Sequence, residues 1–370
     1  FSGVWLMAYT TIDDPSAQFQ IKLFTGNATA RALTFDGNSD LQPDLVWAKN
    51  RDDADGHILT NSTRGTGLYL ACDSAAAEVT SSVMFTAFGS DGFSVSTAVN
   101  VNSNTEKIVV WGWKAAGGTT ATNTTGNNID SVIQANTTAG FSIITYDGNG
   151  TQSGDTVGHG LGAVPKMIIS KDRDATSNVA TWRTYHASLG NTKYLTLDTT
   201  EAAGTFTDWD DTTPTSTVYS VGGSGGYTPT NTSSTEYISY AFAEVQGFSR
   251  ISAYTGNGNA SGPFVWCGFQ PAWVLIKNSN GAYDSWHLID NTRDPYNAAA
   301  GGSYRKLFPD GTNAESASVA IGIDLLSNGF KVRATDGGLN ADTKIYCFIA
   351  FAHHPFVTSD DGGSIPTTAR

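Results

Sequence analysis

The chain has 370 residues, a formal net charge of −13, 15% charged residues and 11% aromatic ones. That balance excludes a protein held to nucleic acid by clustered Lys and Arg and argues against docking on an anionic membrane; no apolar run approaches the roughly 18 residues of a membrane-spanning helix. Runs of Thr, Val, Ile, Tyr and Trp punctuated by Gly, Asn and Asp point to an all-β protein.

Residues 1–18 form an N-terminal segment. Its apolar start, Phe1 to Tyr9, lacks a basic leader and reads as the beginning of a processed or truncated chain, not as a signal peptide. The first unit, 19–115, opens with F-Q-I-K-L-F-T-G-N from Phe19, an alternating strand closed by a turn at Gly26-Asn27, where Gly and Asn accept positive φ. L-Q-P-D-L-V-W-A-K-N-R from Leu41 follows, with Pro43, five residues and then Lys49; apolar on both faces, it reads as a central strand covered on two sides. A polar loop, a strand from His57 and Ser62-Thr63-Arg64-Gly65 come next. Ser90-Asp91-Gly92-Phe93 then turns into a strand, and I-V-V-W-G-W from Ile108 closes the unit.

Residues 116–140, rich in Thr, Asn and Gly with little to bury, are expected to be a linker or exposed loop. The second unit, 141–247, repeats the order with F-S-I-I-T-Y-D-G-N from Phe141, V-P-K-M-I-I-S-K-D-R from Val164, W-R-T-Y-H from Trp182 and Y-I-S-Y-A-F from Tyr237. The third, 248–356, runs F-S-R-I-S-A-Y-T-G-N from Phe248, Q-P-A-W-V-L-I-K-N from Gln270, W-H-L-I-D from Trp286 and I-Y-C-F-I-A-F from Ile345. Asn291-Thr292-Arg293-Asp294 matches Ser62-Thr63-Arg64-Gly65, with Ala187-Ser188-Leu189-Gly190 as the variant; residues 357–370 form a C-terminal tail. Recurrence in order and spacing implies duplication and predicts three tandem β-sandwich modules. Each closing strand should pair beside its opening strand. Gln246-Gly247-Phe248 leaves no linker, so units two and three should pack tightly and the first should be the more independent.

Little in the chain points to reaction chemistry. Cys72, Cys267 and Cys347 make neither a disulfide framework nor a zinc site and read as buried small hydrophobes, with a bridge between Cys267 and Cys347 left open. His57 and His287 fall in equivalent strand positions beside His186, without a nucleophile elbow or an H-E-x-x-H motif, and His353-His354 marks the end of a domain. No catalytic residue is assigned and no enzyme is expected. Asp52, Asp53 and Asp55 share one loop that can supply oxygen ligands to calcium or simply be solvated; no other cofactor is implied. Trp209, Tyr227, Tyr283 and Tyr296 are the candidate binding residues, as loop rings that stack on sugars, anchor a protein interface or plug the end of their own sandwich.

Several motifs carry a family resemblance: the F-S-x-I-x-x-Y-x-G-N openings, the G-x-x-P-x-x-x-x-x-K strands at Gly162 to Lys171 and Gly268 to Lys277, and Y-H-x-S-L-G at Tyr185 to Gly190. Further ones are A-F-A-E at Ala241 to Glu244, L-S-N-G-F-K-x-R at Leu326 to Arg333 and A-F-A-H-H-P-F at Ala350 to Phe356. From residue 19 to 356 the chain resembles β-rich repeats of structural proteins in marine tailed phages, especially those of cyanobacteria; the first copy departs most, at W-G-W-K-A. The resemblance implies a jelly-roll, concanavalin-like fold and a place in the virion as a tail fibre, tail-associated or capsid-decorating appendage. It also implies host attachment, other virion proteins as partners and a homo-oligomer, with a trimer favoured. It brings no catalytic residues. The alternatives are an extracellular carbohydrate-binding module array that takes a host-surface glycan, and a glycan-degrading enzyme using paired carboxylates. Neither nucleic-acid binding nor membrane insertion is expected.

Overall fold

The computed structural model describes residues 9–175, 180–282, 284–298, 303–319 and 321–356; among them the chain is almost entirely β, and the helices Val99–Asn102 and Gly337–Asn340 are single turns. Four strands recur in one order. In the first unit the opening strand Phe19–Thr25 pairs with the closing strand Lys107–Trp113, which pairs with the inner strand Leu45–Asn50, flanked by Ile58–Asn61. The second unit repeats this with Phe141–Asp147, Glu236–Phe242, Met167–Asp172 and Arg183–His186. The third uses Ser249–Thr255, Ile345–Pro355, Phe269–Asn278 and His287–Asp290. All these pairs are antiparallel. Smaller sheets accompany the main ones, among them Arg31–Leu33 with Gly92–Val95 and Phe85–Gly89, Asp155–Gly158 with Val218–Val221, and Phe264–Trp266 with Gly329–Val332 and Ile323–Leu326.

Because side chains alternate along a strand, each fully buried inner strand serves two cores. Val46 and Ala48 pack with Phe93, Val95 and Val110 in the first unit's own core. Ile168 packs with Tyr146, Tyr219 and Tyr237 in the second. Leu45, Trp47, Met167, Ile169, Trp273 and Leu275 face the other way, into one core shared by all three units. Trp113, Phe242 and Phe351 join them around a void of about 20 Å³, with ring centroids 5.5 Å apart for Trp113–Trp273 and 5.8 Å for Phe242–Phe351. Each such burial is worth about 2–3 kcal/mol against exposure. The expectation that the first unit is the more independent is therefore corrected: its inner face is as apolar as the others and is covered by them.

The units close into a ring, and equivalent atoms meet at each seam. Glu78 N donates to Arg173 O (2.7 Å), Ala203 N to Ser279 O (2.9 Å), and Glu315 N to Arg51 O (2.7 Å). Trp182 Nε1 donates to Ala71 O (3.1 Å) and Trp286 Nε1 to Thr196 O (2.8 Å). The register puts His57 in the same place. Trp47 Nε1 donates to its Nδ1 (3.0 Å), leaving Nε2 as the N–H beside the Phe308 carbonyl. Asn61 reaches Tyr240, His186 reaches the Phe348 carbonyl, and Asp290 accepts from Trp111. Unit one thus contacts two, two contacts three, and three returns to one: a heterologous interface that closes after three steps.

Four further expectations change. Residues 116–140 are not a linker or exposed loop throughout, since Ala121–Asn123 and Ser131–Asn136 extend the second main sheet. Composition misleads there because a few apolar side chains suffice once polar ones add to them: Ile129 and Ile133 join the second unit's core, Ala139 the shared one, and Gln134 Nε2 donates to Ser62 Oγ and Thr63 Oγ1, both at 2.9 Å. The glycines of the Gly-Asn turns are required by close packing, not by positive φ. A Cβ on Gly26, Gly148 or Gly256 would lie 1.9, 2.2 or 2.2 Å from the carbonyl oxygen of Ser103, Thr232 or Ala341, while Asn27, Asn149 and Asn257 donate N–H to the buried amides of Asn102, Asn231 and Asn340. Finally, the equivalents of His57 are Trp182 and Trp286, not His287 or His186, and Ser249 rather than Phe248 aligns with Phe19 and Phe141.

Candidate functional site

The Pro-x5-Lys motif ends each inner strand in a buried lysine: Lys49, Lys171 and Lys277. Lys49 Nζ donates to the carbonyls of Asn50 (2.6 Å) and Asp53 (2.9 Å), Lys171 Nζ to those of Ala75 (3.1 Å) and Asp172 (2.5 Å), and Lys277 Nζ to that of Asp284. Burial pulls each ammonium down to about 8, against the pull of nearby carboxylates. Those carboxylates include Asp73, Asp198 and Asp310, which burial pushes upward. Each accepts one backbone N–H, from His57 (2.7 Å), Trp182 (3.0 Å) and Trp286 (2.8 Å). The same pair, in the same place three times, fastens a strand end to the turn beside the seam.

Two seams carry charged clasps. Glu78 lies between Arg64 and Arg173, with Arg173 Nη2 at 2.7 Å. Glu315 lies between Arg51 at 2.7 Å and Arg293 at 3.0 Å, and Arg293 also meets Asp290 at 2.6 Å. At the remaining seam the equivalent residues are Leu189, Ala203 and Ser279, with no charge among them. Desolvation holds three buried histidines neutral: His57 far below its ordinary value and His186 down to about 4, both at seams, and His287 to about 3 inside the third unit. All three cysteines are free and buried, and burial raises their thiols, so no bridge joins Cys267 to Cys347.

The loop aromatics separate. Trp209 is only 1% exposed and stands edge-on to Tyr185 in the second unit's core, which removes it as a binding residue. The Asp208-Trp209 turn folds inward, with Asp208 buried 3.6 Å from Arg183. Tyr227 is 41% exposed against Phe206, and Tyr296 is 83% exposed. Tyr283 lies outside the described residues, as does the tail 357–370. On the acidic loop, Asp53 and Asp55 bring carboxylate oxygens within 4.8 Å of each other and of Glu106. Asp52 turns away, accepting the Lys107 backbone N–H at 2.8 Å. Asn50 Nδ2 donates to Asp55 (2.9 Å) and Glu106 (2.5 Å), so amide hydrogens already serve that cluster.

Sequence reasoning missed two surface features. Phe264 and Trp266, 46% and 49% exposed, alternate along an edge strand and so share one outward face; the Arg250 guanidinium lies 5.2 Å from the Trp266 ring and bonds Glu244. The F-V-W alternation was their signal. The second feature, a groove of about 370 Å³ between units three and one, is walled by Phe19 to Ile21, Asn38, Asn291 and Thr292, with His353 and His354 at its margin. It has no local sequence signal, because its walls lie far apart in the chain.

No helix among the described residues is long and apolar enough to cross a membrane. Neither the curated proteins nor the solved structures contain a detectable match to this chain. One family model does match, from residue 14 to 355, across both the shared core and the seams. The chain belongs to that family, described as Domain of unknown function (DUF7483).

Proposed function

We propose that the chain is a structural and attachment protein, a virion appendage of the tail-fibre, tail-associated or capsid-decorating kind, built of three tandem jelly-roll modules. What supports this reading is the placement of the chemically perturbed groups. Lys49, Lys171 and Lys277 are buried beside the seams at recurring positions with half-buried aspartates as partners, and His57 and His186 are buried where units meet. Catalysis requires shifted groups that reach a substrate in a cleft; these groups instead hold a ring together, while the units differ on their outward surfaces. The phage assignment itself rests on the sequence motifs, and homo-oligomerisation, trimeric by preference, belongs to the same proposal. Imaging purified particles tests it: density for this chain at a defined particle position is expected, and recovery only as free protein would refute it.

A second reading, glycan binding, is favoured by Phe264 and Trp266, whose outward rings lie beside the hydrogen-bonding groups of Arg250 and Glu244. A glycan array should give signals that Trp266→Ala removes, and a flat array with the wild-type chain would end this reading. Release of reducing ends from a host polysaccharide would overturn both readings in favour of an enzyme.

A further inference from the structure

The outward rings of Phe264 and Trp266 belong to a face that only the third unit builds. Phe264–Trp266 is the edge strand of a small sheet with Gly329–Val332 and Ile323–Leu326. Side chains alternate along it, so Val265, packed with Phe330 and Val332 in the core, points in while its two neighbours point out. Register sets Lys331 directly across from Phe264 and Gly329 across from Trp266. Opposite residues share a face, so two rings and one ammonium stand together, and the glycine leaves Trp266 without a cross-strand neighbour.

The first unit has the same strand pair, Arg31–Leu33 with Gly92–Val95, and Gly92-Phe93 matches Gly329-Phe330. Leu33 faces Phe93 as Val265 faces Phe330, and a Cβ on either glycine would strike the carbonyl oxygen of Leu33 or Val265, at 2.0 and 2.1 Å. Phe264, Trp266 and Lys331 therefore take the places of Ala32, Thr34 and Ser94. In the second unit the corresponding strand Asp155–Gly158 is covered: Asn127 N donates to Thr156 Oγ1 at 2.7 Å, and a Cβ on Gly158 would lie 2.3 Å from Asn123 Oδ1. The shared architecture is thus complete with small side chains here, and nothing in it calls for two large rings facing water.

The charge around the rings is positive. Lys331 Nζ donates to the Gly262 carbonyl at 2.9 Å and forms no ion pair among the described residues. Asp324, across from it on the next strand, is taken by Arg333 at 2.5 Å and by the Tyr304 hydroxyl at 2.8 Å. On the other flank the Arg250 guanidinium lies beside Trp266, in a place where the other opening strands carry Gln20 and Ser142. Glu244 serves both Arg250 (2.8 Å) and Lys166 (3.1 Å). Lys331, Arg333, Arg250 and Lys166 against Asp324 and Glu244 leave this face with an excess of cations, on a chain whose net charge is −13.

We propose that this face binds an acidic saccharide, a uronate or sulfated sugar whose ring lies on Trp266 and Phe264 and whose anionic group meets Lys331. The proposal rests on the glycan reading and names its ligand class. The apolar C–H face of a pyranose suits an aromatic ring, and an anion on an ammonium makes a charge-assisted hydrogen bond. The acidity of the whole chain counts for little here, because at physiological salt exposed charges are screened beyond about 8 Å. A single-stranded nucleic acid would also stack on rings, but it needs a track of phosphate contacts that one unpaired ammonium does not supply.

The test presents the full chain to an array of matched pairs, uronate oligosaccharides with their methyl esters and sulfated ones with their unsulfated parents, followed by calorimetry on the strongest pair. The acidic member is expected to bind at least about tenfold more tightly at low salt, with the advantage shrinking as salt rises; the pair that shows it identifies the anion. Lys331→Gln should bring the acidic sugar down to the affinity of its neutral partner and leave the neutral one unchanged, at an unaltered urea midpoint. Trp266→Ala should remove both. Equal affinity within every pair, with Trp266 still required, would overturn this inference and leave the glycan reading standing, whereas a flat array would end both. An acid preference that survives Lys331→Gln, or tighter binding of a single-stranded oligonucleotide, would overturn it as well.

Discussion

The seam clasps make a quantitative test of how the ring is held. In the cluster Arg64–Glu78–Arg173, the side chains of Arg64 and Arg173 are 1% and 15% exposed and Glu78 is the carboxylate between them. Glu78→Ala leaves two guanidinium groups facing each other with their shared counter-ion gone, and breaking a buried pair from one side costs about 3–5 kcal/mol. The backbone bond from residue 78 to Arg173 O survives, since Ala203 makes the same bond to Ser279. The seam between units two and three also shows how the site can do without charge. Replacing all three residues by their counterparts there, Arg64→Leu with Glu78→Ala and Arg173→Ser, removes the charges together with their desolvation penalty. Such replacement is commonly neutral or favourable by about 1–4 kcal/mol. Urea unfolding of the full chain at neutral pH should therefore rank the triple variant well above the single one, near wild type. A triple variant as unstable as Glu78→Ala, or a single variant within about 0.5 kcal/mol of wild type, would refute the reasoning.

Three other outcomes are expected. Trp209→Ala should cost about 3–5 kcal/mol as a core truncation, whereas Trp266→Ala should change unfolding by under about 1 kcal/mol; comparable losses would contradict the burial assignments. Acid should weaken the ring through its neutral histidines. Their folded pKa values lie below the unfolded one, so the stability present above about pH 6.5 drains as pH falls. His186, depressed to about 4, accounts for about 3 kcal/mol of that loss by pH 4, and a urea midpoint that holds steady from pH 7 to pH 4 would negate this. Millimolar calcium should leave the thermal midpoint unchanged, because Asn50 already donates into Asp55 and Glu106; a rise of several degrees that Glu106→Gln abolishes would reverse that reading.

Strand identity and repeat order were legible because they are local. Alternating or doubly apolar runs with Pro at one end and Lys at the other mark a strand buried on both faces wherever it lies. The match of Ser62-Thr63-Arg64-Gly65 with Ala187-Ser188-Leu189-Gly190 and Asn291-Thr292-Arg293-Asp294 was correct to the residue, and it foreshadowed which seam lacks charge. Equivalence of the histidines was misread because one-letter identity outweighed register: His57 shares its place with two tryptophans, the common property being a ring N–H aimed at a neighbour's carbonyl.

The residues by themselves determined an almost all-β chain with a threefold internal repeat and three central strands that each run from Pro to Lys, since these follow from periodicity and the fixed geometry of a strand. Only the tertiary structure decided that the units close on one another around a shared core, that Trp209 lies inside while Phe264 and Trp266 face out, that the lysines ending the central strands are buried, and that a groove lies between units three and one. The physical reason is common to all of them. A strand's pattern states that both of its faces are covered, but not by what; the cover comes from residues far away in sequence, and ring closure depends on the angle between sheets, which no short window of the chain encodes.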